Sequence, residues 1–411
     1  MSGAEWLLAV VALYPVMTAA LWVAGGLLFV ALDERRPELD EPAWPGVTVL
    51  IPAYNEEAVI ATSVRAAEAS NYPELEILVL DDGSTDRTSE VAREAAGPRT
   101  EVIRDEINRG KAERLNAGFA RARHELVVVT DADAHLHPEA IRHLAARIDD
   151  SPLIAAVAGA PHVTNRGHLI CAMQVLEAAS IIGLIRRTQS LTGRVGTVAG
   201  VLGMFRRDRV IAAGGYDPEM ATEDIDLTWR LLIDGWQTAY EPRALVGMEV
   251  PSTLSALWAQ RKRWARGQGE VLHRHLRDVC RWRNHRMWLL SIESVASLIW
   301  VLAVAISFVV GITGSLFGDE TDLFGFGLAW GAAISVVATL QLAAALVISA
   351  QYDRWDLRSA LVGAIYPALF WVISASAALR SQVMALIHGP REQRVVWDIP
   401  RDEQQLSLIH I

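Results

Sequence analysis

The chain has 411 residues, 52% of them hydrophobic, and a formal net charge of −10 at pH 7. This acidic balance disfavours a nucleic-acid partner, which normally requires a basic face. The mean hydropathy of +0.23 is high for a soluble enzyme, and the apolar residues collect at the N-terminus and in several blocks after residue 286. We therefore expect a soluble domain held between membrane helices. The two cysteines, Cys171 and Cys280, have no metal or redox spacing and suit a reducing compartment.

The first predicted element is a membrane-spanning helix within residues 1–34, because residues 6–32 form an apolar run without Lys or Arg. No basic residue precedes this run, and it is too long for the apolar part of a cleavable signal peptide. Arg35 and Arg36 follow it directly. The positive-inside rule then places the N-terminus outside and the large following domain in the cytosol.

Residues 45–250 form the predicted catalytic domain, in which short apolar segments alternate with helix-like segments. This alternation predicts an α/β fold, a Rossmann-type, mostly parallel sheet with helices on both faces. Ligands bind at the carboxyl ends of the strands in such sheets. Three predicted strands end in polar clusters, so we expect those clusters to converge on one crevice. The predicted strands are 47–54, 76–80, 101–104 and 126–130, the predicted helices are 56–70, 85–96 and 111–121, and the clusters are Asn55-Glu56, Asp81-Asp82 and Asp131-Ala132-Asp133.

Two later stretches are typical of amphipathic helices at a membrane surface. Residues 168–191 have apolar side chains at helical spacing but end in Arg186-Arg187, and a buried core helix is the alternative. Residues 253–276 lie within a predicted interfacial segment, 251–286, and mix tryptophans with many arginines.

Residues 287–390 contain three further candidate spans, at 289–313, 328–350 and 361–387, the last interrupted by Pro367. Four spans with the N-terminus outside would place the tail, residues 391–411, outside as well. That tail carries Arg391, Arg394 and Arg401, which favour the inside. Either one segment is re-entrant or one span is miscounted.

The carboxylates Asp131 and Asp133 follow a predicted apolar strand and can hold a divalent cation, since Mg²⁺ and Mn²⁺ prefer oxygen ligands and often bridge to substrate phosphates. A solvated turn is the alternative, which the Asp81-Asp82 cluster disfavours. Asp81 can accept hydrogen bonds from a base or a ribose. Lys111 is one of only two lysines among 38 basic residues, which suggests a compact charge near phosphate rather than a surface lysine.

Two more motifs place charged side chains beside a hydroxyl or an indole. Thr222-Glu223-Asp224 precedes a helical stretch, where the Thr222 hydroxyl can cap the helix or one carboxylate can act as a general base on a sugar hydroxyl. Gln260-Arg261-Lys262-Arg263-Trp264 offers arginines for bidentate phosphate binding and an indole as a platform for a sugar ring. The alternative for this motif is a basic helix on anionic lipid headgroups.

The order of these motifs resembles that of the family 2 processive glycosyltransferases, which include the cellulose, chitin, hyaluronan and poly-N-acetylglucosamine synthases. The resemblance covers about residues 47–270 and the membrane layout. Residues 198–216 and 220–230 look closest to the bacterial poly-β-1,6-N-acetylglucosamine synthases. One difference is the single span before the domain, where that branch usually has two. The resemblance implies a GT-A-like fold and an inverting, processive transfer from a UDP-sugar, most simply UDP-N-acetylglucosamine.

The same resemblance implies a role for each matching residue. Asp224 is the general base, Asp131 and Asp133 contact the diphosphate and a Mg²⁺ or Mn²⁺ ion, and Trp264, with Glu223, faces the acceptor sugar. The predicted nucleotide-sugar set is Ala53, Glu56, Asp81, Lys111, Asp131, Gln260 and Arg263. The expected partners are a UDP-sugar, a growing polysaccharide, membrane lipids, a small membrane subunit and an export apparatus, without nucleic acid, at the cell membrane.

Three alternatives remain open. The product can be another polymer, namely hyaluronan, chitin or cellulose. A single transfer to a lipid is a second possibility, which the 260–264 motif disfavours. A non-catalytic transporter or nucleotide-sugar sensor is the third, and the retention of Asp131, Asp133 and Asp224 argues against it.

Overall fold

The structure is a computed structural model that describes residues 3–34, 44–317, 323–352, 362–363 and 365–391. It divides into two compact units. The sheet unit contains residues 44–164 and 197–249. The helical unit contains the described residues among 3–34, 165–196 and 250–389.

The sheet unit is built on one eight-stranded sheet with the strand order β3-β2-β1-β4-β7-β6-β8-β5. Strands β3, β2, β1 and β4 are parallel to one another, as the sequence predicts, whereas β7 runs antiparallel to both of its neighbours, β4 and β6. The strands are β1 Val47–Ala53, β2 Leu75–Asp81, β3 Thr100–Arg104, β4 Leu126–Thr130, β5 His135–Leu136, β6 Ile154–Val163, β7 Leu202–Arg206 and β8 Gln237–Met248.

Strands β1, β2 and β4 are buried along their whole length. Continuous apolar runs of this kind are typical of parallel strands covered by helices on both faces. Strand β1 pairs with β2 on one side and with β4 on the other. Strands β2 to β4 are therefore added first on one side of β1 and then on the other, although all of them run parallel. Open α/β sheets bind ligands at such a switch point, outside the carboxyl ends of the strands.

Among the described residues, six helices accompany this sheet. The sequence predicts α2, α3, α4 and the start of α9, although α2 begins at Ile60 rather than at residue 56, and it does not predict α5 or α8. Helix α4 occupies the predicted residues 111–121, and Gly110 before it has a φ of +92°, a conformation that glycine adopts without steric cost. The sheet-unit helices are α2 Ile60–Glu68, α3 Thr88–Ala95, α4 Lys111–Arg121, α5 Ala140–Asp149, α8 Arg207–Ala212 and α9 Glu223–Ile233.

The helical unit contains long apolar helices. Among the described residues, four segments are long and apolar enough to cross a membrane, by length and composition: Val10–Glu34, Leu169–Ser190, Trp282–Thr313 and Leu369–His388. The helices are α1 Gly3–Phe29, α6 Leu169–Glu177, α7 Leu184–Ser190, α10 Leu254–Val279, α11 Trp288–Phe317, α12 Leu323–Ser349, α13 Tyr366–Ala377 and α14 Val383–His388; π-helical turns at Val30–Glu34, Ala178–Gly183 and Ala378–Gln382 and a 3-10 turn at Trp282–Met287 extend them.

Two expectations about these helices need revision. The segment 168–191 is not merely amphipathic, because α6 is buried from Cys171 to Glu177 and its apolar side chains pack with those of α10, α12 and α13. This favours the alternative of a buried helix. Pro367 lies in the first turn of α13 and so begins that helix rather than interrupting a span. Arg35, Arg36, Arg394 and Arg401, on which the predicted orientation depends, lie outside the described residues.

Candidate active site

The loops that follow β1 and β2 are tied to each other at the carboxyl edge of the sheet. The backbone N–H of Asn55 donates to the Ser84 hydroxyl over 3.0 Å, and the Asn55 side-chain oxygen accepts from the Thr85 backbone N–H over 2.9 Å. Glu56, one of the predicted nucleotide-sugar residues, is buried, and its N–H donates to the Thr88 hydroxyl over 2.7 Å. The two loops therefore form one rigid rim at the switch point.

Asp81 lies at the end of β2, opposite Ala53 of β1. Its side chain has no exposure, and its two oxygens accept hydrogen bonds from the Ser84 backbone N–H, over 2.9 Å, and from the Ser89 hydroxyl. This carboxylate holds the turn into α3. The contacts of Ala53 and Asp81 with a nucleotide stay predictions.

Asp82 has a structural role that the sequence analysis did not assign. Its carboxylate accepts from the backbone N–H groups of Arg109, at 3.0 Å, and Gly110, at 2.7 Å. Burial raises the pKa of Asp82, although these two bonds oppose the shift. Both bonds fix the chain immediately before α4. As a result, Lys111 begins the helix in a defined direction.

Lys111 lies within a group of carboxylates from distant parts of the chain. Its Nζ donates to Oδ1 of Asp131 over 2.5 Å. Burial would lower the pKa of Lys111, but the negative charges of Asp131, Glu223 and Asp224 outweigh it and raise the pKa. The tertiary structure thus brings four of the predicted site residues together in the sheet unit.

Asp224 is held by backbone groups on two sides. Its Oδ2 accepts from the Gly200 N–H over 3.3 Å, and its Oδ1 accepts from the Ile225 N–H over 2.9 Å. The Thr228 hydroxyl donates to the carbonyl of Asp224 over 2.7 Å and accepts the N–H of Val198 over 3.1 Å. The segment 198–200 and the first turn of α9 therefore fix the carboxylate together.

The capping interpretation of Thr222 is wrong. Thr222 occupies the N-cap position of α9, but its side chain makes no capping hydrogen bond, and its buried hydroxyl finds no hydrogen-bond partner among the described residues. An N-cap side chain bonds to the second or third helical N–H. Here Asp224 already accepts the third one, that of Ile225.

Gly200 is a second residue to which the sequence assigned no role. Besides its bond to Asp224, its α-carbon lies against the Lys111–Asp131 pair. A β-carbon at this position would lie 2.9 Å from Lys111 Nζ and 3.5 Å from Asp131 Oδ1. The absence of a side chain lets the backbone approach both charged partners. The glycines within residues 198–216 are the sequence feature that could have indicated such a close approach.

Tyr216 is the third unassigned residue. Its backbone N–H donates to the Asn116 side-chain oxygen over 2.7 Å, and the Asn116 amide donates back to the Tyr216 carbonyl over 2.8 Å. The ring packs against Phe119 and Phe205 at centroid distances of 6.0 and 6.4 Å. Burial, then the charges of Asp224, Glu223 and Asp131, raise the pKa of the Tyr216 phenol well above its ordinary value. The phenol therefore stays neutral beside these carboxylates.

Asp131 and Asp133 lie in a turn that is anchored to the sheet unit. The Ala134 N–H donates to the Asp131 carbonyl over 3.1 Å, and the Ser63 hydroxyl donates to the Ala132 carbonyl over 2.6 Å. Both aspartates are partly exposed. In the part of the chain that the structure describes, no three His, Cys, Asp or Glu side chains form a metal-binding group. A pair of carboxylates still fits Mg²⁺, which is commonly held by one or two carboxylates plus substrate phosphates and water.

The Gln260–Trp264 motif lies in α10 of the helical unit. Arg263 and Trp264 are exposed, whereas Arg261 is buried and paired with Glu177. The buried Oε1 of Gln260 has no hydrogen-bond partner within the described residues. Exposed arginine and indole groups match the predicted contacts of Arg263 and Trp264 with substrate, which stay predictions.

Comparison with known proteins identifies the family. The family profile described as "Glycosyltransferase like family 2" matches residues 45–267. A poly-beta-1,6-N-acetyl-D-glucosamine synthase of Staphylococcus epidermidis is 31% identical over 384 residues, which is 91% of this chain and 93% of the relative. The corresponding Staphylococcus aureus (strain COL) protein is 31% identical over 376 residues, covering 89% of this chain and 91% of the relative.

A solved structure shares the fold. The mannosyltransferase PcManGT from Pyrobaculum calidifontis, in complex with GDP-Man and Mn²⁺, superposes with a TM-score of 0.57 at 20% identity and covers 93% of this chain and 99% of its own. The predicted GT-A-like fold with a mostly parallel sheet is confirmed. The chain belongs to the family 2 glycosyltransferases.

Proposed function

We propose that this glycosyltransferase transfers N-acetylglucosamine from UDP-N-acetylglucosamine to a growing β-linked polysaccharide, and that it does so processively. The observation that carries the proposal is the cluster of Lys111, Asp131, Glu223 and Asp224 at the carboxyl edge of the sheet. The two staphylococcal relatives are named as synthases of such a polymer and match along nearly the whole chain.

In the proposed reaction the acceptor hydroxyl attacks C1 of the donor sugar in a single in-line displacement. Asp224 accepts the hydroxyl proton as the new C1–O bond forms, and the bond from C1 to the diphosphate oxygen breaks with its electron pair on UDP. One displacement inverts the configuration at C1, so an α-linked donor gives a β-linked product. Gly200 and Ile225 keep the Asp224 carboxylate in one orientation through their backbone N–H groups.

The departing diphosphate requires positive charge. A bound Mg²⁺ or Mn²⁺, held by Asp131 and Asp133, would neutralise the developing charge, and the Mn²⁺ in the mannosyltransferase of similar fold is consistent with this choice. Lys111 contributes a permanent cation beside Asp131. Gln260 and Arg263 would hold the pyrophosphate, and Asp81, with Ala53 and Glu56, would bind the nucleoside end.

The apolar helices agree with a multi-pass protein of the cell membrane whose sheet unit lies in the cytosol. In that arrangement Trp264 and Glu223 face the acceptor, and the membrane helices pass the polymer outward. Membrane lipids, a small membrane subunit and an export apparatus are the proposed partners.

The donor is tested by incubating membranes that contain the protein with labelled UDP-N-acetylglucosamine, UDP-glucose, UDP-glucuronate or GDP-mannose. We expect polymer of high mass from UDP-N-acetylglucosamine alone and none with chelator present. Polymer from UDP-glucose would instead indicate a cellulose-type synthase, and a requirement for UDP-glucuronate a hyaluronan-type synthase. Label confined to the lipid extract would overturn processive synthesis, and the absence of transfer from every donor would favour a non-catalytic protein.

A further inference from the structure

Arg261 and Glu177 form a buried ion pair between α10 and α6 in the helical unit. Arg261 Nη1 and Nη2 donate to Glu177 Oε1 and Oε2 over 2.6 and 2.5 Å, and both side chains are 8% exposed. Removing two charges from water is costly, so a buried pair often adds little net stability. The geometry therefore calls for a role other than stabilising the fold.

Arg261 has a second contact, with the aromatic residue of the same motif. Its guanidinium carbon lies over the Trp264 ring, 4.5 Å from the centroid. The two residues are three apart in α10, so they share one face of the helix. The indole nevertheless remains 38% exposed. The guanidinium thus covers part of the ring and leaves the rest for a ligand.

Glu177 is itself fixed by the way α6 is built. It is the last residue before the π-helical turn Ala178–Gly183, a kind of distortion that is frequent at functional sites. In that turn the Ser180 hydroxyl bonds to the Tyr366 hydroxyl over 3.0 Å. One turn earlier, Gln174 donates to the Pro251 carbonyl over 2.8 Å, immediately before α10. These contacts hold the α6 carboxylate opposite α10.

The arginines of the motif therefore divide into two kinds. Both guanidinium ends of Arg261 are bonded to Glu177, whereas Arg263 is exposed. Both oxygens of Glu177 are likewise engaged, each accepting one hydrogen bond from Arg261. A planar guanidinium that binds a carboxylate at its edge still presents its face to an aromatic ring, which an ammonium cannot do in the same way.

We infer that Arg261 is a positioning residue: held by Glu177, its guanidinium fixes the Trp264 indole in the orientation on which a sugar of the acceptor chain stacks. The inference rests on the proposed function, because it assumes that Trp264 is the acceptor platform. It adds a buried carboxylate outside the motif, Glu177, to the residues that determine acceptor binding.

The test is steady-state kinetics on the full-length protein in membranes, with a short oligosaccharide primer as acceptor and UDP-N-acetylglucosamine as donor. Arg261→Lys keeps the positive charge but loses the bidentate hydrogen bond to Glu177, and Glu177→Gln loses the carboxylate charge. We expect either change to raise the acceptor KM on the order of tenfold, the size of a cation–π contact, and to shorten the polymer. The donor KM should change less than about twofold, because neither side chain is among the proposed nucleotide-sugar residues and effects at independent sites are nearly additive.

Arg266→Lys is the matched control. Arg266 pairs with Glu270 over 2.6 Å on the same helix. It lies two residues from Trp264, and side chains at this spacing do not face each other, so the acceptor KM of the variant should equal that of the unaltered protein. A double variant separates positioning from folding. If Arg261 acts through Trp264, Arg261→Lys should have no further effect on acceptor KM in a Trp264→Ala background. A full additive effect in that background would overturn the inference.

The remaining outcomes are equally distinct. If Trp264→Ala raises the acceptor KM while Arg261→Lys and Glu177→Gln leave it unchanged, the positioning role is wrong and the acceptor platform stands. If Trp264→Ala itself leaves the acceptor KM unchanged, the proposed role of Trp264 fails, and the inference with it.

Discussion

The backbone N–H of Gly200 donates to Oδ2 of Asp224 over 3.3 Å, while the α-carbon of Gly200 lies against the ammonium group of Lys111. Gly200 therefore contacts both Asp224, the proposed base, and Lys111, the cation proposed to lie beside the diphosphate. A displacement of this segment would disturb proton transfer and leaving-group binding together.

Replacing Asp224 by Asn should abolish transfer with little effect on nucleotide binding. The amide keeps the size of the side chain but cannot accept the hydroxyl proton, and general-base catalysis contributes roughly 10²–10⁴-fold. Polymer synthesis and UDP binding by calorimetry would be measured on the same purified protein. Near-normal turnover would show that the base has been assigned wrongly.

Replacing Gly200 by Ala should lower kcat about tenfold, since small misplacements within a catalytic site cost large factors. The new methyl group would lie 2.9 Å from Lys111 Nζ, so the Lys111–Asp131 pair must shift. Initial rates at saturating donor would be compared with those of Gly167→Ala. Apart from its chain neighbours, no heavy atom of the described residues lies within 4 Å of a β-carbon at Gly167. Equal rates for the two variants would contradict the prediction.

Replacing Lys111 by Met should raise the donor KM by about tenfold or more, because a hydrogen bond to a charged group contributes about 1.5–3 kcal/mol. The raised pKa of Lys111 means that its charge is present at neutral pH and is lost only as pH rises through the folded pKa. Thus kcat/KM of the unaltered enzyme should show no alkaline loss from Lys111 below about pH 10. Lys111→Arg, which retains the charge, should recover part of the donor affinity; no difference between the Met and Arg variants would indicate that charge is irrelevant here.

Replacing Glu76 by Gln should destabilise the protein at pH 7 by about 1 kcal/mol. Burial would raise the pKa of Glu76, but hydrogen bonds from the Arg123 N–H and the Thr48 hydroxyl, with the Arg123 charge, lower it below the ordinary value. A lowered folded pKa stabilises the fold above the unfolded pKa of about 4.3, and this stabilisation is lost as pH falls through the folded pKa.

The measurement is thermal unfolding of both proteins from neutral to acidic pH. The difference in Tm between the unaltered protein and Glu76→Gln should narrow as the pH falls below about 4. Glu101→Gln is the control, because its pair with Arg121 is exposed on both sides and such pairs contribute about 0–1 kcal/mol. A constant Tm difference at every pH would show that the stabilisation does not come from the charge of the Glu76 carboxylate.

The local pattern of the chain determined the first half of the sheet unit. Strand β4 and helix α4 have the predicted bounds, because a fully buried parallel strand is a continuous apolar run and α4 follows a glycine with a positive φ. The second half was not predicted beyond the start of α9. Strands β6, β7 and β8 form a mixed parallel and antiparallel set with register shifts in β6, and pairing between distant segments leaves no periodic signal in either one.

The sequence by itself determined the residue types of the site and their order, since a strand that ends in carboxylates and a lysine retained among arginines are visible without a fold. Only the tertiary structure decided the partners: that Lys111 binds Asp131, that the Gly200 N–H donates to Asp224, and that Arg261 is the buried arginine of its motif. The physical reason is that a hydrogen bond depends on distances of a few tenths of an ångström between atoms. Such distances arise only when elements separated by tens of residues have packed against one another.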